Sequence, residues 1–434
     1  MSRANAGRGP CTVPFGQFVA REHAAGRLVV QPRMGFGAPA AMRAGLLATR
    51  HAAATTVGTL TLDSYTRVGD TAAAVKSLAD GVPLNGYPIV AHGSEVTRAV
   101  LAGIQGADFP VQVRHGSARP QDIVATLVAA GLDATEGGPV SYCLPYSRTP
   151  LREAVGHWVR ASSQLAALHD VGAVPHLETF GGCMLGQLCP PSMLVAISVL
   201  EAMFFAQQGI RSVSLSYAQQ TSAGQDEEAV RALRRLAGEL LPGLDWHVVV
   251  YAYMGVYPRT PAGACRLLAA AARLAVRSGA ARLIVKTVAE AHRIPTIDEN
   301  VAALELAARV AAGTARPAAE PGRPDPDTGI YQEASALVEA VLELGERLAD
   351  SLPAAFALGH LDIPYCLHPD NAGRVTSYID EDGRLQWSEV GALPIRPPSS
   401  GVRGRRATAA GLVAALSHVE RKFDRSRLDR AGIR

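Results

Sequence analysis

Residues 247–287 contain, in order, HVVVYAY (247–253), ACRLLAAAARLAVRSG (264–279) and RLIVKT (282–287). The first and last are short apolar runs of strand length. The middle segment repeats its apolar residues about every 3.6 positions, so the unit reads strand, amphipathic helix, strand. The same alternation extends toward the N-terminus. Strand-like runs lie at Leu28–Arg33, Thr55–Leu62, Phe109–Arg114, Pro139–Leu144, Val174–Phe180, Ser212–Tyr217, His247–Tyr253 and Arg282–Thr287. Ala/Leu-rich segments of helical length separate most of them, as in EEAVRALRRLAGELL. This pattern predicts an α/β fold, a (β/α)8 TIM barrel. A further run, YPIVAH at Tyr87–His92, is left outside the barrel, because Asn85, Gly86 and Pro88 give its neighbourhood the signature of a loop.

Outside the barrel, GTARPAAEPGRPDPDTG (Gly313–Gly329) has the proline and glycine density of a linker or exposed loop. Beyond it YQEASALVEAVLELGERLADSL (331–352) reads as one helix. VTSYIDEDGRLQWSEVG (375–391) reads as a hairpin turning at Asp382-Gly383. The expected organisation is an N-terminal arm (1–27), the barrel (28–318) and a smaller C-terminal α+β appendage (319–434).

Composition narrows the function. The chain has 434 residues, 48% of them hydrophobic, and a formal charge of +3 without a basic tract, so nothing argues for a nucleic-acid partner. No apolar run reaches the roughly 18 residues of a membrane span, and the first residues lack a hydrophobic signal core, so no membrane partner and a cytoplasmic location are expected. Six cysteines (Cys11, Cys143, Cys183, Cys189, Cys265 and Cys366) show no CxxC spacing, which argues against a disulfide framework or a zinc site. GFGAPA lacks the third glycine of a dinucleotide fingerprint, and no phosphate-binding loop, HExxH or GxSxG is present. His115 and His176, near the expected functional face, are not spaced as metal ligands.

Arg33, Arg67 and Arg114 each follow a strand-like run, in LVVQPR, TLTLDSYTR and FPVQVRH. In a parallel barrel, side chains at strand C-termini converge on one mouth, so three guanidinium forks there suit a small dicarboxylate. No equally obvious run of acidic partners follows the same strands. Glu136, Tyr142, Tyr146, Glu178, Tyr217 and Lys286 also lie at predicted strand ends. Lys286 closes an apolar strand, where desolvation lowers its pKa. That permits a Schiff-base lyase or aldolase, or, more simply, a buried lysine paired with Glu290. A non-catalytic barrel that binds an acidic amino acid is a third reading.

Taken in order, QPRMG, DSYTR, LNGYP, VRHG, TEGGPVSYCLPY, LCPPSM, LIVKTVAEAHRIPT and GHLDIPY resemble the catalytic epsilon subunit of the glutamate mutase (methylaspartate mutase) family, from about residue 28 to about residue 395. The resemblance implies an isomerase. It interconverts L-glutamate and threo-3-methylaspartate by a radical mechanism, with adenosylcobalamin whose cobalt is ligated by a separate small subunit. The partners it implies are that cobalamin-binding subunit and a second copy of this chain in a heterotetramer. It places Arg33, Arg67, Arg114, His115, Glu136, Tyr142 and Tyr146 around the substrate, with Glu136 facing the amino group. Gly35, Asn85, Pro145, Tyr257, Lys286, Glu290 and Ile294 fall toward the cofactor, Lys286 and Glu290 near its adenosyl ribose. Glu136 and Lys286 are the expected catalytic residues. The chain departs from the family pattern at Tyr251, where a histidine is expected, and at Tyr257, an aromatic position. No DxHxxG cobalt-ligand motif occurs, so the partner must supply it.

Overall fold

The computed structural model describes residues 13–184, 188–316, 328–397 and 408–425. Most of the expected linker and the end of the tail lie outside these residues. Eight parallel strands form one sheet: β1 (Val29–Gln31), β2 (Gly58–Thr61), β3 (Val111–Arg114), β4 (Ala134–Gly137), β5 (His176–Thr179), β6 (Ser212–Ala218), β7 (Asp245–Tyr251) and β8 (Arg282–Ile284). The order β1-β8-β7-β6-β5-β4-β3-β2 and a parallel bridge from Val30 to Thr56 close it into a (β/α)8 barrel. Among the described residues no helix is long and apolar enough to cross a membrane.

One strand differs from its sequence reading. The apolar run Pro139–Leu144 is a turn, folded on itself by Tyr142 N–H to Gly138 O and Leu144 N–H to Val140 O. β4 is instead the polar Ala134–Gly137, registered against β5 with Glu136 opposite Glu178. Pro139 lacks an N–H for the ladder, which stops the strand before the apolar run begins. The excluded segment YPIVAH makes one bridge, Leu62 to Tyr87, and then enters the helix Ile89–Leu101.

The barrel interior is polar, because the strands alternate. Ser212, Ser214 and Ser216 of β6 face inward, while Tyr217 points outward and donates to Asp226 of the helix Ala223–Leu240. Tyr217, expected at the functional face, is therefore a packing residue. At the amino-terminal end, the helix Phe15–Ala24 plugs the barrel. His176 stacks on Phe15 with ring centroids 5.0 Å apart, and its two nitrogens meet the hydroxyls of Ser212 and Ser214. His176 thus sits at the end opposite the one expected for it.

Past the barrel, the expected single helix is two, Ile330–Leu342 and Leu348–Leu358, broken where Gly345 takes φ 154°. The first covers the helix Pro191–Gln207, which is buried along nearly all its length. A helix apolar on every face needs such a cover. Leu337, Leu348, Leu352, Phe356 and Trp387 join the same hydrophobic cluster as the barrel helices. The hairpin is present, as β9 (Val375–Ile379) and β10 (Leu385–Val390), with Gly383 at φ 77° in the turn.

Candidate active site

The three arginines reach the barrel mouth from different elements. Arg114 ends β3, Arg33 follows β1, and Arg67 lies in the short helix Ser64–Val68 after β2, whose start is capped by Asp63. Arg67 is anchored by its own backbone, with Nε and Nη2 donating to Leu62 O at 3.1 and 2.9 Å. Burial lowers its proton affinity, Arg33 and Arg114 lower it further, and Tyr142 and Glu136 raise it. These four groups therefore lie within electrostatic reach of Arg67.

Two of the arginines do have acidic partners, contrary to the sequence reading. Arg114 Nε donates to Glu136 Oε2 at 2.7 Å in a fully buried pair, and Arg33 Nη1 lies 3.7 Å from Glu290 Oε2. Glu290 also faces Lys286 at 3.4 Å. Burial brings the Lys286 amine down to about 8, although Glu290 opposes the shift. Four cations (Arg33, Arg67, Arg114 and Lys286) thus face two carboxylates (Glu136 and Glu290), leaving surplus positive charge.

Several buried donors at this mouth have no acceptor. Arg33 Nε, Arg114 Nη1 and His115 Nε2 lack hydrogen-bond partners among the described residues. His115 Nδ1 accepts from Ser117 N–H at 3.0 Å, so its proton belongs on Nε2. Burial and the Arg67 charge push its pKa to about 3, keeping the ring neutral. Unpaired buried donors also occur elsewhere in the chain, but these three gather beside Arg67 at the barrel mouth, where they suit an anionic ligand.

The loop after β4 supplies the rest of the wall. Tyr142 donates its hydroxyl to Glu136 Oε1, and Tyr146 is half exposed, its ring 6.2 Å from those of Tyr142 and Phe180. Along the rim, Tyr257 is buried with an unpartnered hydroxyl and the Lys286 ammonium 5.1 Å above its ring. Ile294 and Asn85 are exposed, and Pro145 is partly so. Asn85 Oδ1 accepts from Ser64 N–H at 2.9 Å, which ties it to the Arg67 helix. Gly35 has a packing reason of its own, since a Cβ there would sit 2.0 Å from Thr61 O.

Several contributors escaped the sequence reading. Glu201 accepts from Ser141 N–H and Oγ–H and from Phe180 and Gly181 N–H, at 2.8–3.2 Å. It ties the loop after β4 to the loop after β5, and burial raises its pKa to about 7 despite these donors. A lone glutamate in the apolar stretch PSMLVAISVLEAMFFAQ was the available signal. Arg282, fully buried, pairs with Glu178. The segment 367–370 grips 148–151: Arg148 Nη1 donates to Leu367 O at 2.9 Å, His368 Nε2 to Thr149 O at 3.0 Å, and Leu151 N–H to Asp370 Oδ2 at 2.7 Å. No group of three or more histidine, cysteine or acidic side chains that could hold a metal ion occurs among the described residues.

Fold and site together define a (β/α)8-barrel protein with a buried, cation-rich mouth at the C-terminal ends of its strands. The chain belongs to the methylaspartate mutase E chain (MutE) family, whose sequence pattern it matches over residues 10–409. It is similar to the glutamate mutase epsilon subunit of Halobacterium salinarum, at 33% identity over 77% of this chain and 71% of that protein. The subunit of the same name from Haloarcula marismortui is 32% identical over 81% and 74%. The one from Escherichia coli O157:H7 is 30% identical over 77% and 72%.

Proposed function

We propose that this chain is the barrel subunit of an adenosylcobalamin-dependent mutase that interconverts L-glutamate and threo-3-methylaspartate together with a separate cobalamin-binding small subunit. The observation that carries the substrate reading is the set of unpaired buried donors on Arg33, Arg114 and His115 beside the anchored Arg67. Arginine forks recognise carboxylates in a planar, bidentate way and never lose their charge, so they hold both ends of a dicarboxylate without taking part in proton transfer. Glu136 offers the complementary anion to the substrate ammonium. His115, neutral by burial, donates from Nε2.

The rim suits adenosylcobalamin. The buried Tyr257 hydroxyl lacks a partner, and Lys286 and Glu290 form a polar pair beside it. Tyr257, Lys286, Glu290, Pro145, Ile294, Asn85 and Gly35 would hold the group. When bound, it would supply the radical that initiates the carbon-skeleton rearrangement. The chain's own part is to bind the substrate at both ends, orient it and exclude water. The relatives' name, epsilon subunit, speaks for a multi-subunit enzyme, and we place this chain in a heterotetramer containing two copies of it. The Lys286–Glu290 pair accounts for the lysine without a Schiff base.

The test is reconstitution. The chain, a competent cobalamin-binding small subunit, adenosylcobalamin and L-glutamate should together give 3-methylaspartate and a cob(II)alamin signal. Absence of both refutes the proposal. Borohydride trapping of substrate on Lys286 would replace it with the lyase reading.

A further inference from the structure

Glu136 is bound by more than the substrate wall. Its Oε2 takes Arg114 Nε at 2.7 Å and the Tyr251 hydroxyl at 2.8 Å, and its Oε1 takes the Tyr142 hydroxyl. The Tyr251 oxygen also meets Glu178 Oε1. Glu178 is itself held from below by Arg282, by Ser214 Oγ at 3.0 Å and by Gln112 Nε2 at 3.3 Å. The face of the Tyr251 ring lies under the Arg114 guanidinium, 5.1 Å from its centroid. We propose that Tyr251 is the positioning residue of the substrate site, fixing the Arg114–Glu136 pair by joining it through one phenolic oxygen to the buried Glu178–Arg282 pair.

The reason is geometric. A carboxylate beside a guanidinium prefers a two-point pair that uses both oxygens. In this protein the two phenols, one on each Glu136 oxygen, hold the carboxylate turned so that its bond to Arg114 runs through Nε alone, and the Nη1 end of the guanidinium has no partner. Removing the Tyr251 hydroxyl lets Glu136 rotate onto Nε and Nη2 together, which takes Nη2 away from the Nη1–Nη2 fork that a substrate carboxylate needs. The titratable and charged groups acting on the phenol are Glu136 on β4, Glu178 on β5, Arg114 on β3 and Cys183 after β5. The two carboxylates and their arginines lie on four separate strands and Tyr251 on a fifth, so the column Arg282–Glu178–Tyr251–Glu136–Arg114 links strands across the barrel interior and is rigid when complete.

The inference rests on the glutamate reading of the mouth, and its test separates the two. L-Glutamate binding by the reconstituted wild-type complex, measured by calorimetry, tests the substrate reading. Tyr251→Phe should weaken that binding on the order of tenfold, raising KM more than it lowers kcat. Tyr251→His keeps one donor when neutral and gains a second as an imidazolium, so it should bind L-glutamate more tightly than Tyr251→Phe, with the difference growing as pH falls. Unchanged affinity in Tyr251→Phe, or a Tyr251→His variant no better than Tyr251→Phe at any pH, overturns the proposal. A crystal structure of Tyr251→Phe needs no substrate: Glu136 with both oxygens on Arg114 supports the column, and Glu136 in its present place overturns it.

Discussion

Arg114 and Glu136 form a fully buried ion pair, Nε to Oε2 at 2.7 Å, that leaves Arg114 Nη1 without a partner. One guanidinium therefore neutralises a buried carboxylate through Nε and still has Nη1 to offer a ligand. Arg114→Lys keeps the charge but loses the planar fork, so Glu136 and substrate must share one point-like ammonium. The expected outcome is a loss of kcat/KM of roughly 100-fold, about 2–3 kcal/mol, with the fold intact by circular dichroism. Kinetics within a few-fold of the parent would dismiss the fork.

The Tyr257 hydroxyl is buried and unbonded in the chain alone. Tyr257→Phe should leave stability unchanged or raise it by up to about 1 kcal/mol, because an unsatisfied polar group is removed. Adenosylcobalamin affinity of the reconstituted complex should fall about tenfold if that hydroxyl meets the cofactor. Stability comes from denaturant midpoints and affinity from a spectroscopic titration; a stable variant with full affinity removes Tyr257 from the cofactor site.

His176 is enclosed beneath the barrel, and burial and the Arg282 charge hold its pKa at about 3. Its folded pKa lies below the unfolded value near 6.5, so the unfolded chain takes the proton first. Stability is then complete above about pH 6.5 and falls by up to about 1.4 kcal/mol per pH unit as pH drops toward the folded pKa. Glu201 and Asp226, raised to about 7 by burial, act in the opposite sense, because their folded forms bind protons more tightly than the unfolded chain. The comparison must therefore be with a variant. His176→Asn should lose stability less steeply than the parent between pH 6 and 4 in urea titrations (about one such increment per unit). Parallel curves would show that this histidine is not the group.

Asp370 caps the helix Leu151–Ala166 from another part of the chain, accepting Leu151 N–H at 2.7 Å. Asp370→Ala should cost about 1 kcal/mol of stability. It should also loosen the loop that carries Tyr142 and Tyr146, visible as faster amide exchange across residues 143–151. Unaltered exchange there would confine the C-terminal segment to packing.

Much of the fold was legible locally. Seven of the eight strands lie within or overlap the apolar runs read from sequence, because each run is short, uniform and separated from the next by a helical period. β4 was not legible, since Ala-Thr-Glu-Gly is a poor strand by propensity. It is a strand because β3 and β5 pair with it and because Arg114, Tyr142 and Tyr251 satisfy its glutamate. The alternation SVSLSYA in β6 did announce a polar interior, and a period-two reading would have found it. The lone Glu201 in an apolar helix was a second available signal.

The sequence by itself determined the βα alternation, the placing of Arg33, Arg67 and Arg114 after strands, and the family resemblance. Tertiary structure alone decided which charges neutralise one another and which remain for a ligand. Arg282, Glu178, Tyr251, Glu136 and Arg114 lie on five strands separated by long intervals of chain, and barrel closure makes them one column. The physical reason is that hydrophobic period is a local property, whereas whether a buried charge is paired depends on groups that only closure brings within hydrogen-bonding distance.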